Sequence, residues 1–366
     1  MLMKRCQVAI VGGGLGGLYA ARALNSKGID FMLLEARDRL GGRILTSDEH
    51  GIPSDDGFDL GPSWFWPMMQ PDMADLVLEL GLPSFSQNND GDVIFERMSR
   101  EGPQRYRPVE QQGKSLRLTG GSAALVRALE GKIPADRIQL NSYVSAMVLT
   151  GDGVEITSNA PEGVAAVIHA QQVICALPPR LLEANVTFTP QQDQSTLARW
   201  RDTPTWMAPH AKFFAIYDRP FWRDGGLSGT AQSMVGPMVE MHDATLADGK
   251  AALFGFIGTG ADQRAALGEE LLNKACLAQF GRIFGAGALE PRSTILKDWA
   301  ADPLTATSRD RVAAGHLSAE DTNWVSGRWS RRLAMAGSET SAIEPGFLAG
   351  AVAAAKQAVS AVVSSL

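Results

Sequence analysis

Cysteine is scarce in this chain. There are three in 366 residues, Cys6, Cys175 and Cys276, widely spaced and with no C-x-x-C pair. That argues against a disulfide framework and a cysteine-built zinc centre. The five histidines, His50, His169, His210, His242 and His316, form no close pair, so the sequence offers no pattern for a histidine metal site. Positive charge is not in surplus either. Lys and Arg number 34 against 40 Asp and Glu, a formal charge of −6, which argues against nucleic acid as a partner. No run reaches the roughly 18 consecutive apolar residues of a membrane span, so no membrane partner is expected. The segment 347–366 comes nearest, and Lys356, Gln357 and several serines interrupt it. The first apolar run, Val8–Val11, leads straight into glycines without a small-residue cleavage site. It reads as a strand rather than a signal peptide, and cytoplasmic residence is the expectation by elimination.

What is present is an ordinary globular composition, 45% hydrophobic and 20% charged, over a length that suits two domains. The strongest local signal lies in the first 43 residues. A buried-type strand, Val8–Val11, is followed by Gly12-Gly13-Gly14-Leu15-Gly16-Gly17, an Ala/Leu-rich helix over 18–24, and a second apolar run, Phe31–Leu34, closed by Glu35. This is a βαβ unit with glycines at its first strand-to-helix turn. Gly12-x-Gly14-x-x-Gly17 fits the dinucleotide fingerprint: Gly12 for the tight turn, Gly14 for close approach of a pyrophosphate, Gly17 for helix-on-sheet packing. The helix N-terminus offers unpaired N–H groups to phosphates. Glu35, at the end of the second strand, is placed to accept both ribose hydroxyls and to repel a 2′-phosphate.

Farther along, residues 72–80 and 123–129 read as helices and 86–115 as loops with short strands. The stretches 138–149 and 153–158 alternate like antiparallel strands. Val173–Leu177 and 211–217 read as buried strands and Glu269–Phe284 as a helix. The last helix, 346–366, would bury Leu348, Val352, Ala355, Val359, Val362 and Leu366.

The segment Glu35-Ala36-Arg37-Asp38-Arg39-Leu40-Gly41-Gly42-Arg43 resembles the E-A-R-x-R-x-G-G-R segment of the FAD-dependent amine oxidase family, which includes the monoamine oxidases. The resemblance extends over nearly the whole chain. It takes in Asp59-Leu60-Gly61 and the following Pro62-Ser63-Trp64, Gly120-Gly121, Tyr143-Val144, Ala176-Leu177-Pro178-Pro179, Lys212 with Tyr217, Pro220 and Phe221-Trp222, Trp299, and Ala336-Gly337-Ser338-Glu339-Thr340 with Gly346 and Gly350. It implies FAD rather than NAD. The cofactor residues it implies are Gly12, Gly14, Gly17, Glu35, Ala36, Arg37, Gly42, Arg43, Gly61, Pro62, Ser63, Trp64, Val144, Trp299, Gly337, Ser338, Glu339, Gly346 and Phe347. Arg43 is expected to fork onto pyrophosphate oxygens. Arg37 and Arg39 have a rival reading as a solvated surface pair. Lys212 is the catalytic candidate. The resemblance puts it near flavin N5, where it would hold a water and attract oxygen.

Three departures bear on function. The chain is short between Trp66 and Gly120, so the substrate cap is reduced. The membrane-anchoring tail of mitochondrial members is missing. Of the paired-tyrosine cage, one position aligns with Phe347 and the other falls near Ser308 or Arg309. No cysteine lies there, so FAD is expected to be non-covalent. Trp64, Phe65, Trp66, Trp299 and Phe347 are candidate walls for an apolar or aromatic amine, each with core packing as its alternative.

The fold expected is α/β, an FAD-binding Rossmann-like domain (1–68, 119–195, 302–366) interleaved with a smaller α+β substrate domain (69–118, 196–301). The function expected is oxidation of a C–N bond of an amine or amino acid, with oxygen as acceptor. The rivals are an FAD-dependent C–C desaturase and a non-catalytic FAD-binding protein.

Overall fold

The apolar run before the glycines forms strand Lys4–Val11, whose last four residues are buried. A strand hidden on both faces belongs inside a parallel sheet, and this one lies between Phe31–Leu34 and Ala165–Cys175, parallel to both. The computed structural model describes residues 4–366 apart from 99, 109–113, 160–162, 164, 313–314, 316–317 and 320–321. His316 and part of the 86–115 stretch lie outside the described residues. The sheet has eight strands, in the order Thr187–Thr189, Tyr143–Leu149, Val154–Asn159, Ala165–Cys175, Lys4–Val11, Phe31–Leu34 and Ile138–Gln139, with Leu333–Met335 also paired to Ala165–Cys175.

The stretch 138–149 is two strands, not one. Asn141 adopts φ 53°, a left-handed conformation that Asn tolerates. Its N–H donates to Arg37 O, and that of Ser142 to Glu35 O. The break wraps the chain around the Glu35–Arg37 corner. The strand expected at 173–177 starts earlier, at Ala165, and ends at Cys175.

Helix Leu15–Ser26 packs against Leu348–Val363, with Leu18 and Leu24 sharing a core with Val352, Val359 and Val362. Leu366 lies past the helix end and is 45% exposed. Two helices that lie wholly or mostly in the expected substrate domain pack on this first unit. Helix Pro71–Glu79 enters this same core through Met73, Leu76 and Val77. Helix Gln194–Asp202 packs under the sheet's other face through Trp200, against Phe188. An amphipathic helix belongs with the core that covers its apolar face.

The second sheet has seven strands, in the order Ser293–Asp298, Ala211–Tyr217, Ala251–Ile257, Met238–Asp243, Leu227–Ser233, Asp92–Glu96 and Gln104–Tyr106. Strand Ala211–Tyr217 is buried at every residue. Its odd-numbered side chains meet helix Glu269–Phe284 through Phe280 and Phe284. The alternate positions, with Phe214 and Ile216, face Phe58 and Leu60 of the first unit.

A two-stranded antiparallel sheet, Ser84–Ser86 with Leu116–Leu118, lies at the joint between the larger sheets. Its Arg117 is 5% exposed, donates to Ala244 O and Thr245 O, and lies between the Asp59 and Asp243 charges. Arg117→Met leaves two buried carboxylates without this cation. We expect a loss of about 3–5 kcal/mol, read as a lowered thermal midpoint with normal far-UV dichroism. An unchanged midpoint would show that the joint does not depend on the charge.

Candidate active site

Helix Leu15–Ser26 begins after Gly14 with no side-chain cap, so its first N–H groups are left for a ligand. A Cβ on Gly14 would meet nothing closer than Gly41 O at 3.9 Å, and that gap opens into a cavity of ≈ 520 Å³. Gly17 does not line it. A Cβ there would lie 1.8 Å from Gly12 O, so Gly17 serves the close helix–strand packing that its position in the fingerprint requires.

Glu35, 6% exposed, accepts from Gly13 N at 2.6 Å and Arg37 N at 2.8 Å. With Ala36, Arg37, Ser142, Tyr143 and Val144 it lines one end of the cavity. Arg37 is no solvated surface charge. Its guanidinium forks onto Asp302, both contacts at 3.0 Å. Arg39 donates to the carbonyls of Leu40, Gly42 and Ile44, clamping the Gly41–Gly42 turn.

Arg43 also departs from expectation. Its fork closes on the buried Glu339, at 2.5 and 3.1 Å, and it donates further to Ser338 Oγ and Trp206 O. A buried carboxylate needs a paired cation, and Arg43 supplies it while still lining the cavity. Glu339 stands behind the wall. Gly12, Gly42, Gly61, Pro62, Ser63, Trp64, Gly337, Ser338, Gly346 and Phe347 all line it. Helix Leu348–Val363 starts at Phe347, again without a side-chain cap, so two uncapped helix N-termini meet one cavity.

Lys212 lies at the far end, 1% exposed yet on the cavity wall. Its Nζ donates to Gly61 O at 2.6 Å, Ser63 Oγ at 3.0 Å and Asp59 O at 3.1 Å. The Phe254 and Phe256 rings lie 4.7 and 5.1 Å away, within cation–π range. Burial pushes the ammonium down to about 7, against the pull of Asp59.

A family model, "Flavin containing amine oxidoreductase", matches residues 96–363. The chain belongs to this family. A second model, "NAD(P)-binding Rossmann-like domain", matches residues 10–80. Guinea pig (Cavia porcellus) amine oxidase [flavin-containing] B is 22% identical over 99% of this chain and 87% of its own. Arabidopsis thaliana polyamine oxidase 2 is 38% identical over 26% of this chain and 19% of its own. The structure of putrescine oxidase bound to putrescine superposes with a TM-score of 0.82 at 20% identity, over 99% of this chain and 100% of that one.

The protein is therefore an FAD-dependent oxidoreductase of the amine-oxidase type. The residues present fit FAD. They provide two uncapped helix N-termini, a glycine turn with open space at Gly14, and a carboxylate at the nucleoside end. Glu35 and Val144 would hold the adenosine portion and the turn at Gly12–Gly14 the phosphates.

Other expected walls divide. Trp64, Trp66 and Phe347 line the cavity. Phe65 is buried in the first core. Trp299 is fully buried, donating Nε1–H to Leu60 O at 3.0 Å, so it supports the 59–63 turn from behind. Ser308 and Arg309 are not on the cavity wall. An aromatic ring comes instead from Trp206, 6.2 Å from Phe347 between centroids and tilted by 31°. Trp206, Met207, Glu240 and Phe256 line the cavity and were not anticipated. The one signal for Trp206 was its place in a short turn framed by Pro204 and Pro209. Among the described residues no cluster of histidine, cysteine and carboxylate groups could hold a metal, and no helix is long and apolar enough to cross a membrane.

Lys212 makes stability pH-dependent with a definite sign. The unfolded chain keeps this proton up to the ordinary lysine range, whereas the folded chain releases it near 7. Folding is thus penalised below about 7, and stability gains as pH rises from there towards 10. Lys212→Met abolishes this contribution. Thermal midpoints of both proteins across that range should show wild type gaining relative to the variant as pH rises. Parallel curves would place the Lys212 titration elsewhere.

Proposed function

We propose that this protein oxidises the C–N bond of a small apolar or aromatic amine, with oxygen as the acceptor. One observation carries the reading. A single cavity has the dinucleotide turn at one end and a buried lysine among aromatic rings at the other. FAD, when bound, supplies the acceptor for a hydride equivalent from the carbon next to nitrogen. The walls formed by Trp64, Trp66, Trp206, Phe256 and Phe347 exclude water, which favours the neutral amine over the ammonium. Two electrons and two protons pass from the amine to oxygen, giving an imine and hydrogen peroxide, and water then cleaves the imine. The Lys212 charge stabilises negative charge developing on oxygen in a site of low dielectric.

The names of the relatives support an amine substrate. Among the described residues no cysteine or histidine lines the cavity, which supports non-covalent FAD. Three free, buried cysteines suit a reducing compartment such as the cytoplasm. The two sheets support an FAD-binding domain of about 1–80, 119–202 and 302–366, and a substrate domain from the remainder.

Anaerobic mixing with a panel of amines and amino acids tests the reading. A nitrogen compound should bleach the flavin, air should restore it with one peroxide per turnover, and acid precipitation should leave the flavin in the supernatant. Bleaching only by a polyene would identify a C–C desaturase. In Lys212→Met, oxygen uptake by the reduced enzyme should slow on the order of 10²–10³-fold. The wild-type rate should also fall as pH rises through about 7, since the neutral amine of Lys212 lacks the charge. Equal, pH-independent rates would make Lys212 purely structural.

A further inference from the structure

The Trp64 ring lines the cavity, but its one polar atom is turned away from it. Nε1–H donates to Gln87 Oε1 at 2.8 Å, and Gln87 is 7% exposed and off the cavity wall. The Gln87 amide is fixed at its other end too. Nε2 donates to Asp243 O at 2.7 Å and to Asn88 O at 3.3 Å, so its oxygen is left to face the indole. The Asp243 carboxylate in turn accepts from Trp222 Nε1, Arg223 Nε and Thr245 N, which anchors this strand end.

The backbone holds the two residues in one frame. Phe65 exchanges both of its hydrogen bonds with Leu116, at 2.9 and 3.0 Å, and Gln87 N donates to the neighbouring Ser115 O. Strand Leu116–Leu118 thus lies between the segment that carries Trp64 and the one that carries Gln87. The indole also meets His242 edge to face at 4.8 Å, Phe254 at 5.5 Å and Phe256 at 6.3 Å. Phe254 and Phe256 are the rings beside the Lys212 ammonium. Phe256 stands opposite Lys212 in the sheet, and Glu240, whose Oε1 lies 2.7 Å from His242 Nε2, stands opposite Phe256 on the next strand. One indole therefore touches both the open cavity and the aromatic packing around Lys212.

We propose that Gln87 is a positioning residue of the amine site: it turns the N–H of Trp64 into the protein and leaves only ring carbon facing the amine. This rests on the amine-oxidase reading and adds to it a residue that acts without touching substrate. A buried indole N–H without an acceptor carries a penalty. Without Gln87 the ring relieves that penalty by turning its polar edge toward the cavity, and the space for the amine changes shape. The short segment between Trp66 and Gly120 thus keeps a part in recognition, through the strand end it sends behind the wall.

The test is a double-mutant cycle on the holoenzyme, read as the concentrations of benzylamine and of n-butylamine that half-saturate anaerobic bleaching. Gln87→Met keeps the length of the side chain and offers only a weak acceptor. It should raise these concentrations about tenfold, as for a buried donor left unpaired. Oxygen should reoxidise the reduced variant at the wild-type rate, because the acceptors of Lys212 are untouched. Gln87→Asn, whose amide falls short of the indole, should behave likewise and serves if Gln87→Met fails to hold flavin. Gln87→Glu should restore the wild-type values, since burial keeps its carboxyl protonated, with the same acceptor for the indole and the same donor for Asp243 O. In Trp64→Phe, which has no N–H, Gln87→Met should change the values further by no more than about twofold. An additive effect in that background, or Gln87→Glu weakening the amine as much as Gln87→Met, would overturn the proposal. So would reoxidation slowed in step with the amine effect. If no amine bleaches the flavin, the amine-oxidase reading fails, and the same cycle on thermal midpoints still judges the pairing, additivity there overturning it.

Discussion

A lysine ammonium inside a sheet, away from solvent, must find three acceptors, and the construction around Lys212 follows from that need. Its acceptors, Asp59 O, Gly61 O and Ser63 Oγ, all lie on one turn that packs against the second sheet. The lysine thereby fixes the turn that carries Trp64, and Trp299 braces it from behind through Leu60 O. Asp59 does double duty. Its carbonyl accepts from the lysine, while its carboxylate accepts from Thr46 Oγ1 and from the N–H and hydroxyl of Ser122. Gly121 is glycine because a Cβ there would lie 2.5 Å from Thr46 Cγ2. The second glycine pair thus serves the packing of the same buried acid.

The opposite wall depends on another ion pair. Arg43 and Glu339 come from segments far apart in sequence, and between them they hold both backbone polar groups of Trp206. Arg43 donates to its carbonyl at 2.6 Å, and Glu339 accepts from its N–H at 3.1 Å. The next residue, Met207, adopts φ 68°, a conformation that costs free energy in a residue with a bulky side chain. Gly346 makes room, since a Cβ there would lie 2.7 Å from Trp206 Cβ. Arg43, Glu339 and Gly346, with the Met207 backbone beside it, agree on one placement of the indole. The segments expected to hold the cofactor therefore also set the substrate wall.

What the sequence made legible was what is local. The βαβ unit, the glycine turn and Glu35 are contiguous, and period, turn chemistry and offset specify them without reference to the rest of the chain. The long segment 35–43 was equally readable as a motif, yet the partners of its arginines were not. Arg37 meets Asp302, Arg39 its own loop and Arg43 Glu339, and such choices are set by distant residues that become neighbours only on folding. Strands Leu227–Ser233, Met238–Asp243 and Ala251–Ile257 were missed for the same reason. The first is rich in Gly, Ser and Thr, and the second carries a bulge that breaks its alternation. Glu240 and Phe256 went unseen with them, because their relation to Lys212 is one of sheet register. Helices 71–79 and 194–202 were recognisable or short amphipathic stretches whose allegiance is decided by which core lies nearer.

The aromatic wall is assembled from segments far apart in the chain. Where the family resemblance anticipated a pair of tyrosines, this chain brings together Trp206, Phe347 and Trp66. Phenyl rings donate no hydrogen bond, and an indole donates only from one edge. Such a surface would strip water from an amine and bury its alkyl portion. Three neighbouring strands present, in order, a cation, a ring and an anion, a sequence of chemistries that no single strand could place on one face within the same width. In this chain the sheet that supports the site also forms part of its lining.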